Sequence, residues 1–218
     1  MKPMIRVLLL AAAVLVAAGC AMNKAEKGAI IGAGAGGVAG GVIGHATGST
    51  VRGAIIGAAV GGVAGAVIGH QMDKQADELA YDLPGAVVQR VGEGIAVTFP
   101  DGLLFEFNSE QVAPLARENL RKFAASLKKY PNTRTLIVGH TDSDGRAAYN
   151  IDLSDRRALA AASFIAAEGV DRARITTAGR GEGEPIATNG SVEGRRQNRR
   201  VEIAIYASAA TGGAASGH

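Results

Sequence analysis

The feature that most constrains this chain is a tandem repeat with glycine at every fourth position. Residues 28–45 and 53–70 are identical except at three aligned positions. Steps of four residues turn an α-helix by about 400°, so on a helix these glycines form one slowly drifting stripe. The stripe consists of Gly28, Gly32, Gly36, Gly40 and Gly44 in the first copy and Gly53, Gly57, Gly61, Gly65 and Gly69 in the second.

A glycine stripe favours the close approach of a second backbone, as in membrane helix pairs with small residues four apart. The connector 46–52 is short and polar, so the repeat predicts an antiparallel helical hairpin within residues 28–78. Glycine disfavours a helix in water by about 1 kcal/mol per residue, whereas lipid requires internal hydrogen bonds. A flexible linker is the alternative, but Ile and Val recur at one phase in both copies, which a linker does not need. Membrane entry, self-association and a spacer role all stay open.

The N-terminus has the pattern of an export signal. Lys2 and Arg6 precede an uninterrupted apolar run at 7–18, which is too short to span a bilayer and is typical of a signal peptide. Residues 17–20, Ala-Ala-Gly-Cys, resemble a bacterial lipobox. That resemblance implies a signal peptide over 1–19, lipid on Cys20 and a lipidated N-terminal segment over 20–27. Ala follows Cys20, which in such proteins favours sorting to the outer membrane.

Composition separates the rest of the chain into a globular part and a tail. Pro84 and Gly85 end the glycine-rich region, and 84–208 read as one α+β domain, with 209–218 a disordered tail. The net charge of +3 against 20% charged residues argues against nucleic-acid binding, which requires a basic patch.

Alternating and helical patterns predict a mixed sheet with helices on one face, a β/α/β/α/β sandwich. Ser154 is the predicted N-cap of the second helix. The predicted strands are 87–91, 95–99, 134–140, 174–178 and 200–206, and the predicted helices are 113–130 and 155–168.

Charged residues around the third predicted strand indicate a binding site. Asp142 follows that strand, and ligands in such sheets bind beyond the carboxyl ends of strands. Arg157 falls in the first turn of the predicted second helix, where a cation opposes the helix dipole, so we expect it to meet an anion. We therefore predict that Asp142 receives a ligand ammonium and Arg157 a ligand carboxylate, with Thr141, Asn150 and Leu153 lining the pocket.

Four motifs within residues 95–206 resemble the OmpA-like peptidoglycan-binding family. They are Phe105-Glu106-Phe107-Asn108-Ser109, the block from Thr141-Asp142 to Ala158, Gly179-Arg180-Gly181-Glu182 with Pro185, and Asn198-Arg199-Arg200-Val201-Glu202. The resemblance implies that the ligand is the diaminopimelate of the cell-wall stem peptide. It also implies a set of contact residues: Thr141, Asp142, Asn150, Leu153, Arg157 and Arg199. Glu106 stands where the family usually has Asp.

The sequence and the resemblance together predict a non-enzymatic lipoprotein that links the outer membrane to peptidoglycan. The lipid on Cys20, with or without the hairpin, would hold the membrane, and the domain would face the periplasm. We expect no cofactor and no metal, because His140, Asp142 and Asp144 lack the further ligands of a calcium or zinc site.

Two alternatives stay open beside the tether. The chain is an anchoring or assembly factor that acts through protein partners, or it forms a homo-oligomer through the glycine stripe. A flagellar-stator role fits less well, because neither repeat contains the acidic residue of such transmembrane helices.

Overall fold

A computed structural model of the chain describes residues 48–59, 66–100, 102–105 and 109–208. The predicted signal peptide, the lipidation site Cys20, the first glycine repeat and the predicted tail lie outside the described residues, as do Gly61 and Gly65. Across the described ranges, no helix is both long and apolar enough to cross a membrane.

The described part of the chain forms a mixed five-stranded sheet in the order β1-β2-β5-β3-β4. Neighbouring strands are antiparallel, except that β3 and β4 are parallel. The fold class and the predicted strands are confirmed, with each strand within one residue of its expected bounds. The strands are β1 Val87–Val91, β2 Gly94–Pro100, β3 Thr133–His140, β4 Ile175–Gly179 and β5 Arg200–Ala207.

One face of this sheet, which we call the first face, carries Ile137 and Ile203 and is covered by helices that enclose the main core. The Phe99 and Phe123 rings meet edge to face with centroids 6.4 Å apart, and Leu120, Ile137 and Ile203 are fully buried beside them. The described helices are α1 Thr50–Ala58, α2 Ala66–Asp82, α3 Pro114–Lys129, α4 Ala147–Ala167 and α5 Val192–Asn198.

The start of α4 differs from the prediction. The helix begins at Ala147, after the N-cap Arg146, rather than at Asp155 with Ser154 as its cap. The Ser154 hydroxyl donates instead to the carbonyl of Ile151 at 2.8 Å, so a polar side chain is satisfied inside the helix. Arg157 is therefore well inside α4, and the helix-dipole reason for its placement was wrong.

The region 180–197, for which the sequence predicts neither a helix nor a strand, also contains regular structure. The short helix α5 begins after Ser191, whose hydroxyl accepts a hydrogen bond from the Gly194 N–H at 3.0 Å. This serine is an ordinary N-cap signal that the surrounding glycines obscured.

The described parts of the second glycine repeat belong to two different helices. Its last residues belong to α2, whose Met72 and Leu79 enter the main core. Its first residues belong to α1, which packs on the opposite face of the sheet through Val51 and Ile55.

Successive strand residues point to opposite faces, and both faces of this sheet are apolar. On the second face Val138 and Ala204 contact α1, while Ile137 and Ile203 face the main core. The predicted helices of the domain 84–208, α3 and α4, pack on one face as expected, whereas α1, which precedes that domain, covers part of the other face. Helix α1 packs on an apolar surface of the sheet. The sequence pattern of the strands does not tell whether such a surface is covered by a helix or exposed to solvent.

Helix α4 lies almost in contact with the ends of β3 and β4. A Cβ on Gly139 would stand 2.1 Å from the Ser154 carbonyl oxygen, and one on Gly179 would stand 2.6 Å from the Asp155 nitrogen. Only glycine permits this approach, which fixes the helix beside the loop that follows β3.

Candidate functional site

Asp142 lies just beyond the carboxyl end of β3 and is almost fully buried. The segment is held by the Thr141 N–H, which donates to the Gly181 carbonyl at 2.9 Å. The Asp144 N–H donates to Asp142 Oδ1 at 3.0 Å, and this turn leaves Oδ2 directed elsewhere.

Arg199 supplies the partner of that second oxygen. Strands β3 and β5 run antiparallel with His140 opposite Arg200, so the residue before β5 reaches the residues after β3. Arg199 Nη1 lies 2.5 Å from Asp142 Oδ2, with the two side chains 18% and 7% exposed. The result is a shielded ion pair at the point where β3 ends and β5 begins.

Arg157 approaches the same place from α4. Its Nε donates to the Ser109 carbonyl at 2.8 Å, and its guanidinium lies 5.7 Å from the centroid of the Phe105 ring, a distance typical of a cation–π contact. Arg157 and Arg199 line one small cavity. The other residues that line it are Phe99, Pro100, Gly102, Leu104, Phe105, Arg200 and Val201.

Asn150 and Leu153 complete the set expected from the sequence, and both are buried on α4. The Asn150 amide nitrogen donates to the Asp142 carbonyl at 3.2 Å and to Glu182 Oε2 at 2.7 Å. Glu182 was not among the predicted site residues. Because β3 and β4 are parallel neighbours, the residues after the two strands meet. The signal available in the sequence was the place of Glu182 in the Gly179-Arg180-Gly181-Glu182 motif.

A second charged group lies behind the ion pair, on the face of the sheet that α1 covers. Arg200 Nε donates to Glu202 at 2.7 Å, and His140 Nε2 stands 3.8 Å from the same carboxylate. Burial holds the pKa of His140 well below its usual value, and the positive charges of Arg200 and Arg180 lower it further. His140 is therefore a neutral imidazole near pH 7.

The buried carboxylate of Asp142 pairs with Arg199, and Arg199 in turn lines a cavity together with Arg157. Groups of both charges thus lie close together, which suits a ligand that carries both charges. Over the described ranges no group of His, Cys, Asp and Glu side chains is arranged to hold a metal ion. A larger cavity of about 610 Å³ lies between α2 and α3. It is lined by Asp77, Glu78, Tyr81, Asp82, Lys122, Ala125, Ser126 and Lys129, which include none of the predicted site residues.

The fold and the site define an α+β binding domain with a charged site at the end of β3. Comparison with known sequences gives matches to two families. Residues 104–199 match the OmpA family, and residues 1–73 match the YMGG-like Gly-zipper family. The chain therefore contains an OmpA-family domain over residues 104–199, which follows a YMGG-like glycine-zipper region over residues 1–73.

Individual relatives agree with this assignment. The chain is 40% identical over 121 residues to "Probable lipoprotein YiaD" of Escherichia coli (strain K12), an alignment that covers 56% of this chain and 55% of that one. It is 40% identical over 103 residues to "Peptidoglycan-binding protein ArfA" of Mycobacterium tuberculosis (strain H37Rv), covering 47% of this chain and 32% of the relative. The chain thus spans about half the length, or less, of these curated relatives.

A solved structure supports the same fold. The cell wall anchor of the T6SS from Pseudomonas aeruginosa superimposes with a TM-score of 0.56 at 35% identity, covering 62% of this chain and 97% of that one. The described domain thus resembles nearly the whole of a solved chain that is named a cell wall anchor.

Proposed function

We propose that this chain is a non-enzymatic outer-membrane lipoprotein whose OmpA-family domain binds peptidoglycan through diaminopimelate. The observation that carries the proposal is the Asp142–Arg199 ion pair, with Arg157 lining the cavity beside it. Relatives with the names lipoprotein and peptidoglycan-binding protein support the same conclusion.

Diaminopimelate suits the site because one of its carbon atoms carries both an ammonium and a carboxylate group. In our proposal Asp142 accepts the ammonium, while Arg157 and Arg199 bind the carboxylate through the two-pronged guanidinium geometry. The zwitterion replaces one ion pair with two, so no buried charge loses its partner on binding. Thr141 and Asn150 fix the position of the Asp142 segment through hydrogen bonds, and Leu153 would shape the ligand pocket beside them.

The remainder of the chain would attach this domain to the membrane. The lipid on Cys20 is the proposed anchor, and the glycine repeats lie between that anchor and the domain. The domain would face the periplasm and hold the outer membrane to the cell wall.

The test is a binding assay of the full-length protein on purified diaminopimelate-type peptidoglycan. Full-length protein is required because α2, which precedes Pro84, contributes Met72 and Leu79 to the core. Asp142→Asn, Arg157→Lys and Arg199→Lys are each expected to weaken binding about 10- to 100-fold, the range of one lost charged hydrogen bond. Free diaminopimelate should displace the wild-type protein.

Matched controls lie on the exposed side of α4, where Arg156 pairs with Asp152. Asp152→Asn and Arg156→Lys repeat the same chemical changes outside the cavity and should leave binding within about twofold. Failure of the wild-type protein to bind, or equal losses in the controls, would rule out the proposed function.

A further inference from the structure

Helix α1 is tied to the loop that borders the candidate site, which we call the β4 loop (residues 180–184). The Glu184 carboxylate accepts hydrogen bonds from the Thr50 N–H at 3.1 Å and from the Thr50 hydroxyl at 2.5 Å. Arg180 Nε donates to the Thr50 hydroxyl oxygen at 2.7 Å and lies 3.3 Å from Glu184. A carboxylate is favoured at this position because the first N–H groups of a helix lack partners and carry positive charge.

Apolar packing holds the rest of α1. Val51 and Ile55 are 1% exposed, and they contact Val138 and Ala204 on the second face of the sheet. A helix of nine residues is too short to be stable alone in water. The contacts with the sheet and with Glu184 therefore maintain α1 as a helix.

The other side of the β4 loop supports the candidate site. Its Gly181 carbonyl accepts from the Thr141 N–H, and its Gly181 N–H donates to the Ser154 hydroxyl, each at 2.9 Å. Its Glu182 accepts from the Asn150 amide at 2.7 Å. The two ends of the β4 loop thus contact α1, while its middle contacts the residues around Asp142.

The sequence shows that this contact belongs to one copy of the repeat. Thr50 and Val51 correspond to Ala25 and Glu26 ahead of the first copy, although the repeats that follow are almost identical. Alanine has no hydroxyl to offer Glu184, and glutamate is disfavoured in the apolar position of Val51. Only the second copy therefore has the side chains that fit this face of the sheet.

We propose that α1 is a positioning element for the wall-binding site, and that Thr50, Arg180 and Glu184 transmit its docking to the β4 loop. The inference rests on the proposed function for its ligand and adds a regulatory link. Release of α1 from the sheet would loosen the β4 loop and weaken binding at Asp142.

The test combines amide hydrogen exchange with peptidoglycan binding, both on the full-length protein. Thr50→Ala introduces the residue of the first copy, and Glu184→Gln removes the charge from the carboxylate. Both are expected to speed exchange at Gly181 and Thr141 about tenfold, leaving exchange at Ile137 in the central sheet unchanged. Both should weaken peptidoglycan binding about fivefold or more, the lower end of ordinary coupling between two sites.

Two matched variants separate positioning from a general loss of stability. Thr50→Ser keeps the hydroxyl and should retain wild-type exchange and binding. Glu193→Gln makes the same change as Glu184→Gln on the exposed face of α5 and should have no effect.

Three outcomes decide the proposal. Faster exchange at Gly181 with weaker binding supports it, whereas unchanged exchange in both variants overturns it. Faster exchange with wild-type affinity also overturns it, because the loop would then not control the site. If the wild-type protein does not bind peptidoglycan, the proposed function fails, and the exchange measurement alone decides whether α1 holds the β4 loop.

Discussion

The Asp142 carboxylate and the Arg199 guanidinium lie 2.5 Å apart, although 57 positions separate the two residues in the chain. The antiparallel pairing of β3 and β5 creates this contact, since it places the end of one strand beside the start of the other. The site thus depends on the strand order of the sheet rather than on a local motif.

We expect Asp142→Asn to reduce the free energy of unfolding by about 1–3 kcal/mol in the absence of ligand, because the half-buried Arg199 guanidinium loses this carboxylate charge. Urea denaturation measures this change. Asp152→Asn, which alters an exposed ion pair with Arg156, should change stability by less than about 0.5 kcal/mol. Equal effects in the two variants would contradict a special role for the shielded pair.

The neutral, buried His140 should make stability depend on pH. An unfolded histidine binds a proton near pH 6.5, whereas the pKa of the buried imidazole lies well below that value. As pH falls below about 6.5, only the unfolded chain gains the proton, so the free energy of unfolding decreases by up to about 1.4 kcal/mol per pH unit.

This pH dependence can be assigned by substitution. His140→Phe should remove the slope between about pH 6.5 and pH 5 in denaturation experiments, because no imidazole remains to titrate. His70→Gln, at an exposed histidine of α2, should retain it. An unchanged slope in the His140 variant would assign the effect to other groups.

Gly139→Ala should displace α4 from the end of β3, because the new Cβ would stand 2.1 Å from the Ser154 carbonyl. The expected loss of stability is about 1–3 kcal/mol, as for other overpacked positions, together with weaker peptidoglycan binding. Gly190→Ala is the control, since its Cβ would meet nothing closer than 3.4 Å. Thermal unfolding and the binding assay would report both effects, and a wild-type melting temperature for Gly139→Ala would contradict the close approach.

Cys20→Ala should abolish lipid attachment, which is measured as loss of the lipid mass in intact-protein mass spectrometry. If the variant still sediments with membranes, the glycine repeats provide a second attachment. If it becomes soluble, lipid is the principal anchor. A wild-type protein without the lipid mass would contradict the predicted lipobox.

The sheet could be predicted from the sequence because alternation of apolar residues is a local signal. Strands β3 and β5 contain continuous buried segments, and their bounds were accurate to within one residue. The start of α4 could not be placed, because Ser154 has the character of an N-cap, and only the packed structure shows that its hydroxyl is satisfied by Ile151.

For the candidate site, the sequence predicted which residues lie there more reliably than which of their side chains contact one another. Thr141, Asp142, Asn150 and Leu153 are all buried around the end of β3. The pairing of Asp142 with Arg199, the contact of Arg157 with Phe105 and the role of Glu182 depend on which strands are neighbours. Strand order is a non-local property that spacing along the chain does not encode.

The placement of α1 and α2 on opposite faces of the sheet has a mechanical consequence. In a chain held by its N-terminus and by the Asp142 site, tension reaches α1 before α2, because α1 comes first along the chain. Helix α1 is attached by a small apolar contact and by the hydrogen bonds of Thr50 with Glu184 and Arg180, whereas α2 is embedded in the main core. The nine residues of α1 span roughly 13 Å as a helix and roughly 30 Å when extended. Peeling α1 away would release roughly 17 Å of slack between membrane and wall before the domain itself came under strain.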